Sequence, residues 1–221
     1  MADDPKPEGT PTPESAPTPP PEAAPAVAPS APAAPAAAAK PAPRPAAPKA
    51  PAVMETEPWE GELPDALKEK FGDAITGYFR YVGQSFLTAK PEAAVPILEF
   101  LKSDWGFDYL VDVTATDDPA KPERFELVYI LYSFSRNERI RIKARVKEGD
   151  KPATAVPVHI TADWLEREVF DMFGIEFAGH PNMTRILLPD EWQGHPLRKD
   201  YNILGMDQKW VQENLGIESG Q

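Results

Sequence analysis

The stretch ELVYILYSF (residues 126–134), followed by SRNE (135–138) and RIRIKARV (139–146), decides the fold. The first part is a nearly continuous apolar run, typical of a strand buried on both faces. The third part alternates isoleucine, alanine or valine with arginine or lysine, which predicts a strand with one face in the core. Because four polar residues separate the two runs, we predict a β-hairpin that turns at residues 135–138.

The same periodicities predict helices and strands before this hairpin. Apolar residues spaced three or four apart predict two helices, and short apolar or β-branched runs predict two strands. Pro91 fits the first turn of the second helix, whereas Pro96 indicates a kink or a later start. The predicted elements are helices at 63–71 and 90–102 and strands at 84–88 and 109–114. Together with the hairpin they predict an α+β fold, in which a mixed or antiparallel sheet has helices packed on one face.

Residues 1–58 differ in composition from the rest of the chain. They contain 18 prolines, 18 alanines and no aromatic residue, whereas all 21 aromatic residues lie from Trp59 onward. Such a segment buries too little apolar surface to offset the entropy of ordering. We therefore predict a disordered Pro/Ala-rich tail that acts as a spacer, with a docking arm as the alternative. The predicted domains are this tail (1–58), an α+β domain (59–178) and an extended partner-binding segment (179–221).

The composition of the 221 residues excludes several classes of protein. The chain has no cysteine, which excludes disulfide frameworks, thiolate metal sites and cysteine nucleophiles. It contains no run of about 18 apolar residues, and its start lacks the pattern of a secretory signal. The formal net charge is −12, with 19 basic and 28 acidic residues in 59–221, which opposes binding to nucleic acid. We expect a soluble, acidic, cytosolic protein.

A third helix is predicted from Asp163 to Phe173, ending at Gly174. Asp163 and Glu166 have the spacing of a capping box, with an acceptor at the N-cap and a carboxylate three residues later. We place Glu166, Arg167 and Asp171 outside the buried face and expect an Arg167–Asp171 pair one turn apart. The predicted buried stripe consists of Leu165, Val169, Met172 and Phe173.

The sequence after this helix contains the tripeptide Gly-His-Pro twice, at 179–181 and at 194–196. It is too rich in glycine and proline for regular structure and too apolar for water, so it is expected to cover its own domain or a partner. His180 and His195, with the carboxylates of the preceding helix, raise the hypothesis of a metal-dependent hydrolase. Since no His-Glu-x-x-His or His-x-Glu spacing is present, we interpret both histidines as structural and keep the hydrolase as a less favoured alternative.

The region from Trp164 to Tyr201 resembles the 30-kilodalton subunit, also called the C subunit, of respiratory complex I (NADH:quinone oxidoreductase). The resemblance is carried by WLEREVFDMFGIEF (164–177), GHP (179–181), RILLP (185–189), Trp192 and GHPLRKDY (194–201). The strand and hairpin pattern before it agrees with the same family more loosely, and residues 1–58 lie outside the resemblance.

This resemblance implies a structural or assembly subunit in the peripheral arm of a proton-translocating enzyme. Electrons would pass from NADH to quinone through FMN and iron–sulfur clusters of other subunits, with no cofactor, metal or catalytic residue in this chain. The implied partners are other peripheral-arm subunits, especially the one that forms the quinone pocket, on the cytoplasmic side of the bacterial inner membrane. The alternative is the equivalent subunit of a membrane-bound hydrogenase or a ferredoxin:quinone oxidoreductase.

The resemblance also supplies the residues of interest, which we expect to serve folding and contacts between subunits. They are Glu166, Arg167, Glu168, Asp171, Gly174, Gly179, His180, Pro181, Arg185, Trp192, Gly194, His195, Pro196, Arg198, Lys199 and Asp200.

Overall fold

Six strands and three α-helices form the fold in the computed structural model, which describes residues 55–202, 212–214 and 216. The elements in chain order are β1 (Glu57–Pro58), α1 (Glu62–Phe71), β2 (Ile75–Tyr81), β3 (Gln84–Ala89), α2 (Pro91–Trp105), β4 (Tyr109–Asp117), β5 (Phe125–Ser133), β6 (Glu138–Val146) and α3 (Ala162–Phe173). Within the described ranges, every helix is too short or too polar to span a bilayer.

The strands form one mixed sheet in the order β1-β2-β3-β6-β5-β4. Neighbouring strands are antiparallel except for β3 and β6, which run parallel with Leu87 opposite Ile142. The predicted hairpin is confirmed, since β5 and β6 pair from Ser133 and Glu138 at the turn to Phe125 and Val146 at the far end. The α+β class predicted from the sequence is therefore confirmed.

The helices cover one face of this sheet and enclose the core. On that face β5 and β6 place Leu127, Leu131, Ile140 and Ile142, all almost fully buried. The helix α2 packs against β6, and α3 packs against β4. At about 25 cal/mol per Å² of apolar area, these buried side chains dominate the stability of the domain.

The opposite face of the sheet, which we call the open sheet face, has no helix packed on it within the described residues. There the alternation of β6 places Arg139, Arg141, Lys143 and Arg145, as predicted. The prediction that β5 is buried on both faces is wrong in part. The side chain of Val128 is buried by its neighbours on the sheet, but Ile130 and Tyr132 remain partly exposed.

Two elements differ from their predicted bounds or were not predicted. The helix α2 begins at Pro91 and continues through Pro96 to Trp105, so the predicted later start is wrong. The strand β2 was not predicted, and the last two residues of the predicted tail form β1 beside it. Residues 1–54 of that tail, and most of the predicted segment beyond residue 202, lie outside the described residues.

Candidate functional site

Helix α3 carries the first half of the family-like motif, and its start differs from the prediction. The helix begins at Ala162 after Thr161, and no side chain caps it. The predicted capping box is therefore wrong. Glu166 instead accepts hydrogen bonds from the Thr154 hydroxyl at 2.5 Å and from the Ala155 N–H at 2.7 Å. It thereby ties the loop before the helix to the buried face of the helix.

Glu166 is fully buried, so its predicted place outside the apolar stripe is wrong. It lies three residues before Val169 and seven before Phe173, so helical geometry directs all three side chains inward. Burial raises the pKa of Glu166 to about 7. The two hydrogen bonds act in the opposite direction and lower this pKa, but the effect of burial is larger. The hydroxyl of Tyr129 is buried nearby, and burial together with the charge of Glu166 raises its pKa.

Asp171 is also fully buried, which again corrects the prediction. Its Oδ2 atom accepts three consecutive backbone N–H groups, from Ile186, Leu187 and Leu188, at 3.1, 2.8 and 2.9 Å. Its Oδ1 atom accepts from the Arg185 guanidinium at 2.5 Å. Burial alone raises the pKa of Asp171, but the N–H donors and Arg185 outweigh it and lower the pKa overall. One carboxylate thus fixes the conformation of residues 185–188.

Two arginines of the motif extend this network along the backbone. The second terminal nitrogen of Arg185 donates to the carbonyl groups of Trp192 and Gly194, at 3.0 and 3.1 Å. Arg167 donates to the carbonyl groups of Thr184 and Arg185 at 3.1 Å. The predicted Arg167–Asp171 pair is therefore wrong, because each residue binds the segment that follows the helix.

The two histidines lie in separate local turns. The ring of His195 donates from Nδ1 to the Asp171 carbonyl at 3.0 Å and contacts Phe170 edge-on. Burial lowers the pKa of His195. The Nε2 atom of His180 lies 3.1 Å from the Asp163 carbonyl, and its Nδ1 accepts the N–H of Asn182. Both imidazole rings form hydrogen bonds with backbone groups, which agrees with our interpretation of these histidines as structural.

The alternative function, a metal-dependent hydrolase, requires a metal centre. Across residues 55–202, 212–214 and 216, no group of three or more histidines, aspartates and glutamates is arranged to hold a metal ion. The described residues therefore give this alternative no support.

Arg124 is the centre of a second network, which was not predicted from the sequence. It is buried and forms two hydrogen bonds to Asp117, at 2.7 and 2.8 Å, and two to Asp200, at 2.9 and 2.6 Å. It also contacts Glu148 at 3.1 Å. The hydrogen bonds with Arg124 lower the pKa values of Asp117 and Asp200 and raise that of Arg124. This network joins the ends of two strands to the last part of the motif.

The residues LRKD (197–200) complete this attachment. Arg198 donates to the Phe173 carbonyl at 2.5 Å and to Glu148 at 2.6 Å, and the Lys199 N–H donates to Asp117 at 2.7 Å. Gly174 makes room for this approach. Its φ is +75°, and a Cβ atom there would lie 2.6 Å from both Arg198 and His195.

His159 is another buried polar residue that was not predicted. Its Nε2 atom has no hydrogen-bond partner among the described residues. Burial lowers the pKa of His159 to about 4, and the nearby charge of Lys102 contributes to the shift. The amino group of Lys102 donates to the Val158 carbonyl at 2.5 Å. The signal that pointed to the Gly-His-Pro histidines, a repeated tripeptide, is absent around His159.

The remaining predicted positions divide by exposure. Trp192 is buried, and Pro196 is half-buried. The exposed motif positions are Glu168, Gly179, Pro181, Gly194, Lys199 and Asp200. Large apolar side chains in the same region also face solvent, with Trp164 69% exposed, Leu187 61% and Leu197 49%. The motif therefore combines buried hydrogen-bonding residues with exposed positions, of which Lys199 and Asp200 also take part in the Arg124 network.

Comparisons with known proteins agree with this motif. Residues 87–207 match the sequence model of the family described as "Respiratory-chain NADH dehydrogenase, 30 Kd subunit". The C subunit of the NADH-quinone oxidoreductase of Citrifermentans bemidjiense is 44% identical over 144 residues, which cover 65% of this chain and 89% of that protein. The C subunit from Cereibacter sphaeroides is also 44% identical, over 65% of this chain and 76% of that protein.

Two further similarities differ in sequence identity and in how much of the other protein they cover. The combined C/D subunit of the NADH-quinone oxidoreductase of Bdellovibrio bacteriovorus is 46% identical over 63% of this chain, but the match covers 25% of that protein. A chain of the membrane-bound sulfane sulfur reductase, described as an archaeal respiratory membrane complex, aligns with a TM-score of 0.58 and 23% identity. That alignment covers 70% of this chain and 90% of the other, and it shows a shared fold.

Taken together, the mixed sheet, the helix α3 and the network that follows it form the α+β domain that the matched respiratory-chain family covers from residue 87 onward. The chain belongs to the family of the 30-kilodalton subunit of respiratory-chain NADH dehydrogenase. The family predicted from residues 164–201 is therefore confirmed.

Proposed function

We propose that this chain is the structural 30-kilodalton subunit of a proton-translocating NADH:quinone oxidoreductase, where it supports assembly of the peripheral arm. One observation carries the proposal. The buried charges of the motif, Glu166, Asp171 and Arg185, direct their hydrogen bonds to this chain's own backbone and side chains. Their geometry suits the fixing of a segment in one conformation rather than the binding of a substrate.

The exposed half of the motif supplies the contacts with partners in this proposal. Leu187 and Leu197 project from the segment that hydrogen bonds of Asp171 and Arg124 fix, and Trp164 projects from helix α3. Large exposed side chains on a fixed backbone bind with a small loss of entropy. The relative named as a C/D subunit supports one specific neighbour, the D subunit, since its name joins the two in one chain.

The electron carriers belong to other subunits in this proposal. FMN and iron–sulfur clusters would lie in partner chains, and this chain would lie on the cytoplasmic side of the bacterial inner membrane through the complex alone. The absence of cysteine from the sequence supports the assignment of iron–sulfur clusters to partners, because cysteine thiolates hold such clusters. The alternative is an equivalent structural subunit of a membrane-bound hydrogenase or ferredoxin:quinone oxidoreductase.

Co-purification after gentle detergent extraction distinguishes these two complexes. NADH-binding and flavin-binding subunits should co-purify with a tagged full chain, together with the D subunit. Recovery of a nickel–iron large subunit in their place would assign the chain to the alternative. Recovery of the tagged chain without any oxidoreductase subunit would contradict both.

The isolated chain provides a second test. We expect the purified full chain to show no oxidation of NADH by a quinone analogue, because the proposed role includes no electron carrier. Turnover by the isolated chain, free of other subunits by mass spectrometry, would contradict the proposal.

A further inference from the structure

The open sheet face carries more positive than negative charge, although the whole chain has a net charge of −12. Four cations of β6 lie on it, against two carboxylates that the strand register places there, Asp112 of β4 and Glu126 of β5. Glu126 pairs with Lys143 at 3.2 Å and with Arg145 at 3.0 Å. Glu126 therefore offsets one of the two positive charges at this end of the face.

At the other end of β6 the strand register aligns Asp112 with Arg141 through Ile130, but no ion pair joins Asp112 to Arg139 or Arg141 among the described residues. Neither Arg139 nor Arg141 has a carboxylate partner among the described residues, and Arg141 donates to the neutral side chain of Gln84. In the adjoining turn, Arg136 pairs with Glu138 at 3.0 Å, so this ion pair adds no net charge. We call the surface around Arg139 and Arg141 the arginine end of the open sheet face.

Aromatic side chains border the arginine end on both sides. Phe134 is 68% exposed and contacts Tyr132 edge-on, with ring centroids 4.9 Å apart. Tyr109, at the edge of the sheet, lies 5.7 Å from Phe134 and is 47% exposed. On the opposite side, half-buried Phe79 stacks on buried Phe86 at 5.2 Å, so the exposed rings are those of Phe134 and Tyr109. Exposed aromatic residues next to arginine are characteristic of the centres of protein interfaces, where these residue types are enriched.

We propose that the arginine end of the open sheet face is the docking surface for an acidic segment of a neighbouring subunit of the complex. The inference rests on the proposed function, since it assumes that the chain is one subunit of a larger assembly. Charge complementarity selects an acidic protein as the occupant. Two arginines that have no carboxylate partner among the described residues can donate paired hydrogen bonds to carboxylates, and the bordering rings supply apolar contact. A nucleic acid is disfavoured because the rest of the surface is strongly acidic.

Site-specific photocrosslinking in the assembled complex tests this docking. Phe134 is replaced by the photoreactive p-benzoylphenylalanine, which keeps an aromatic ring at an exposed position outside the motif. We expect crosslinks to a peptide of another subunit whose net charge is negative. The double variant R139E/R141E should lower the yield of this crosslink about tenfold, equivalent to about 1.4 kcal/mol, because like charges then face each other.

The double variant K68E/K70E provides the matched control. It changes the net charge by the same amount on α1, which packs against β2 and α2, and it should leave the crosslink unchanged. Replacement of acidic residues by lysine in the crosslinked peptide should restore the yield in R139E/R141E.

Several results would overturn the inference. They are crosslinks only within this chain, to a second copy of it or to nucleic acid, and a yield that R139E/R141E does not change. If the complex still assembles in those cases, the proposed function stands while the docking surface is wrong. If the tagged chain recovers no other oxidoreductase subunit, the proposed function itself has failed.

Discussion

The segment 185–200 and the open sheet face are both rich in charged residues, yet the charges have opposite roles. Arg185 of the segment and its partner Asp171 of α3 are buried or nearly so, and backbone groups of the segment take up most of their hydrogen bonds. On the sheet face, Arg139 and Arg141 have no carboxylate partner among the described residues. A buried charge with several partners is expensive to disturb, whereas an exposed one contributes little to folding. Burial and hydrogen-bond partners thus decide whether a charged residue specifies the fold or remains free for binding.

Removal of the Asp171 carboxylate should have the largest effect on stability. Asp171→Ala leaves three backbone N–H groups without their acceptor and Arg185 without its counter-charge. We expect the free energy of unfolding to fall by about 3–5 kcal/mol, the cost of breaking a buried ion pair from one side. Urea denaturation of the full chain, followed by circular dichroism, measures this change.

Glu168→Ala is the matched control for Asp171→Ala. Glu168 is an acidic residue of the same helix and the same motif, but its side chain is exposed. The substitution Glu168→Ala should change the free energy of unfolding by no more than about 0.5 kcal/mol. Equal effects of the two variants would mean that the network around Asp171 does not stabilise the segment.

The pH dependence of stability should reveal two buried groups with opposite effects. Between about pH 4.5 and 7 the folded chain keeps a proton on Glu166 that the unfolded chain releases, so rising pH lowers stability. Between about pH 4 and 6.5, His159 is protonated in the unfolded chain but neutral in the folded chain, where it is buried. Rising pH therefore increases stability over this interval. Each effect amounts to about 3 kcal/mol over its full range.

Single variants separate these two effects. In Glu166→Gln the free energy of unfolding should rise with pH from about 4 to 6.5, and in His159→Gln it should fall from about 4.5 to 7. In the parent the two contributions oppose each other over the shared interval, and His195, whose pKa burial also lowers, acts in the same direction as His159. Denaturation curves at half-unit pH steps measure the slopes, and identical slopes in all three proteins would show that neither residue is buried as described.

Substitution of Gly174 should have an intermediate effect. In Gly174→Ala the positive φ and the close approach of Arg198 and His195 act together, and we expect a loss of about 1–3 kcal/mol. Gly149→Ala is the control, because its φ is +88° but a Cβ atom meets nothing within 4 Å. A loss no larger than that in Gly149→Ala would mean that Arg198 does not pack against this position.

The smallest effect is expected on the open sheet face. Glu126→Gln removes the partner of Lys143 and Arg145 and should cost less than about 1 kcal/mol, because these pairs are partly exposed to solvent. Thermal unfolding of the parent and of Glu126→Gln at low and high salt measures this loss of stability. A loss as large as that of Asp171→Ala would abolish the contrast between the two regions.

Much of the fold was predictable because its elements have clear periodicity. The hairpin of β5 and β6 follows from a long apolar run and a strict alternation, and its bounds were predicted to within a residue. The strand β2 has the sequence ITGYFRY, in which Gly77 and the adjacent polar residues interrupt the alternation. Its conformation depends on pairing with β3, which the local sequence does not reveal.

The candidate site was predictable as a set of residues but not as a set of contacts. Helical periodicity assigns charged residues to the exposed face of a helix, so it misplaced Glu166 and Asp171. The position of Glu166 in line with Val169 and Phe173 was a usable signal of burial. Arg124 gave no such signal, since its partner Asp200 is 76 residues away in the chain.

The central claim is that the motif builds the subunit and takes no part in electron transfer. The most direct test measures NADH:quinone turnover per assembled complex, together with the amount of complex, for Asp171→Asn in cells grown at reduced temperature. We predict less assembled complex than in the parent, with unchanged turnover in each complex that forms. A normal amount of complex with lost turnover would contradict the claim and place Asp171 in the reaction itself.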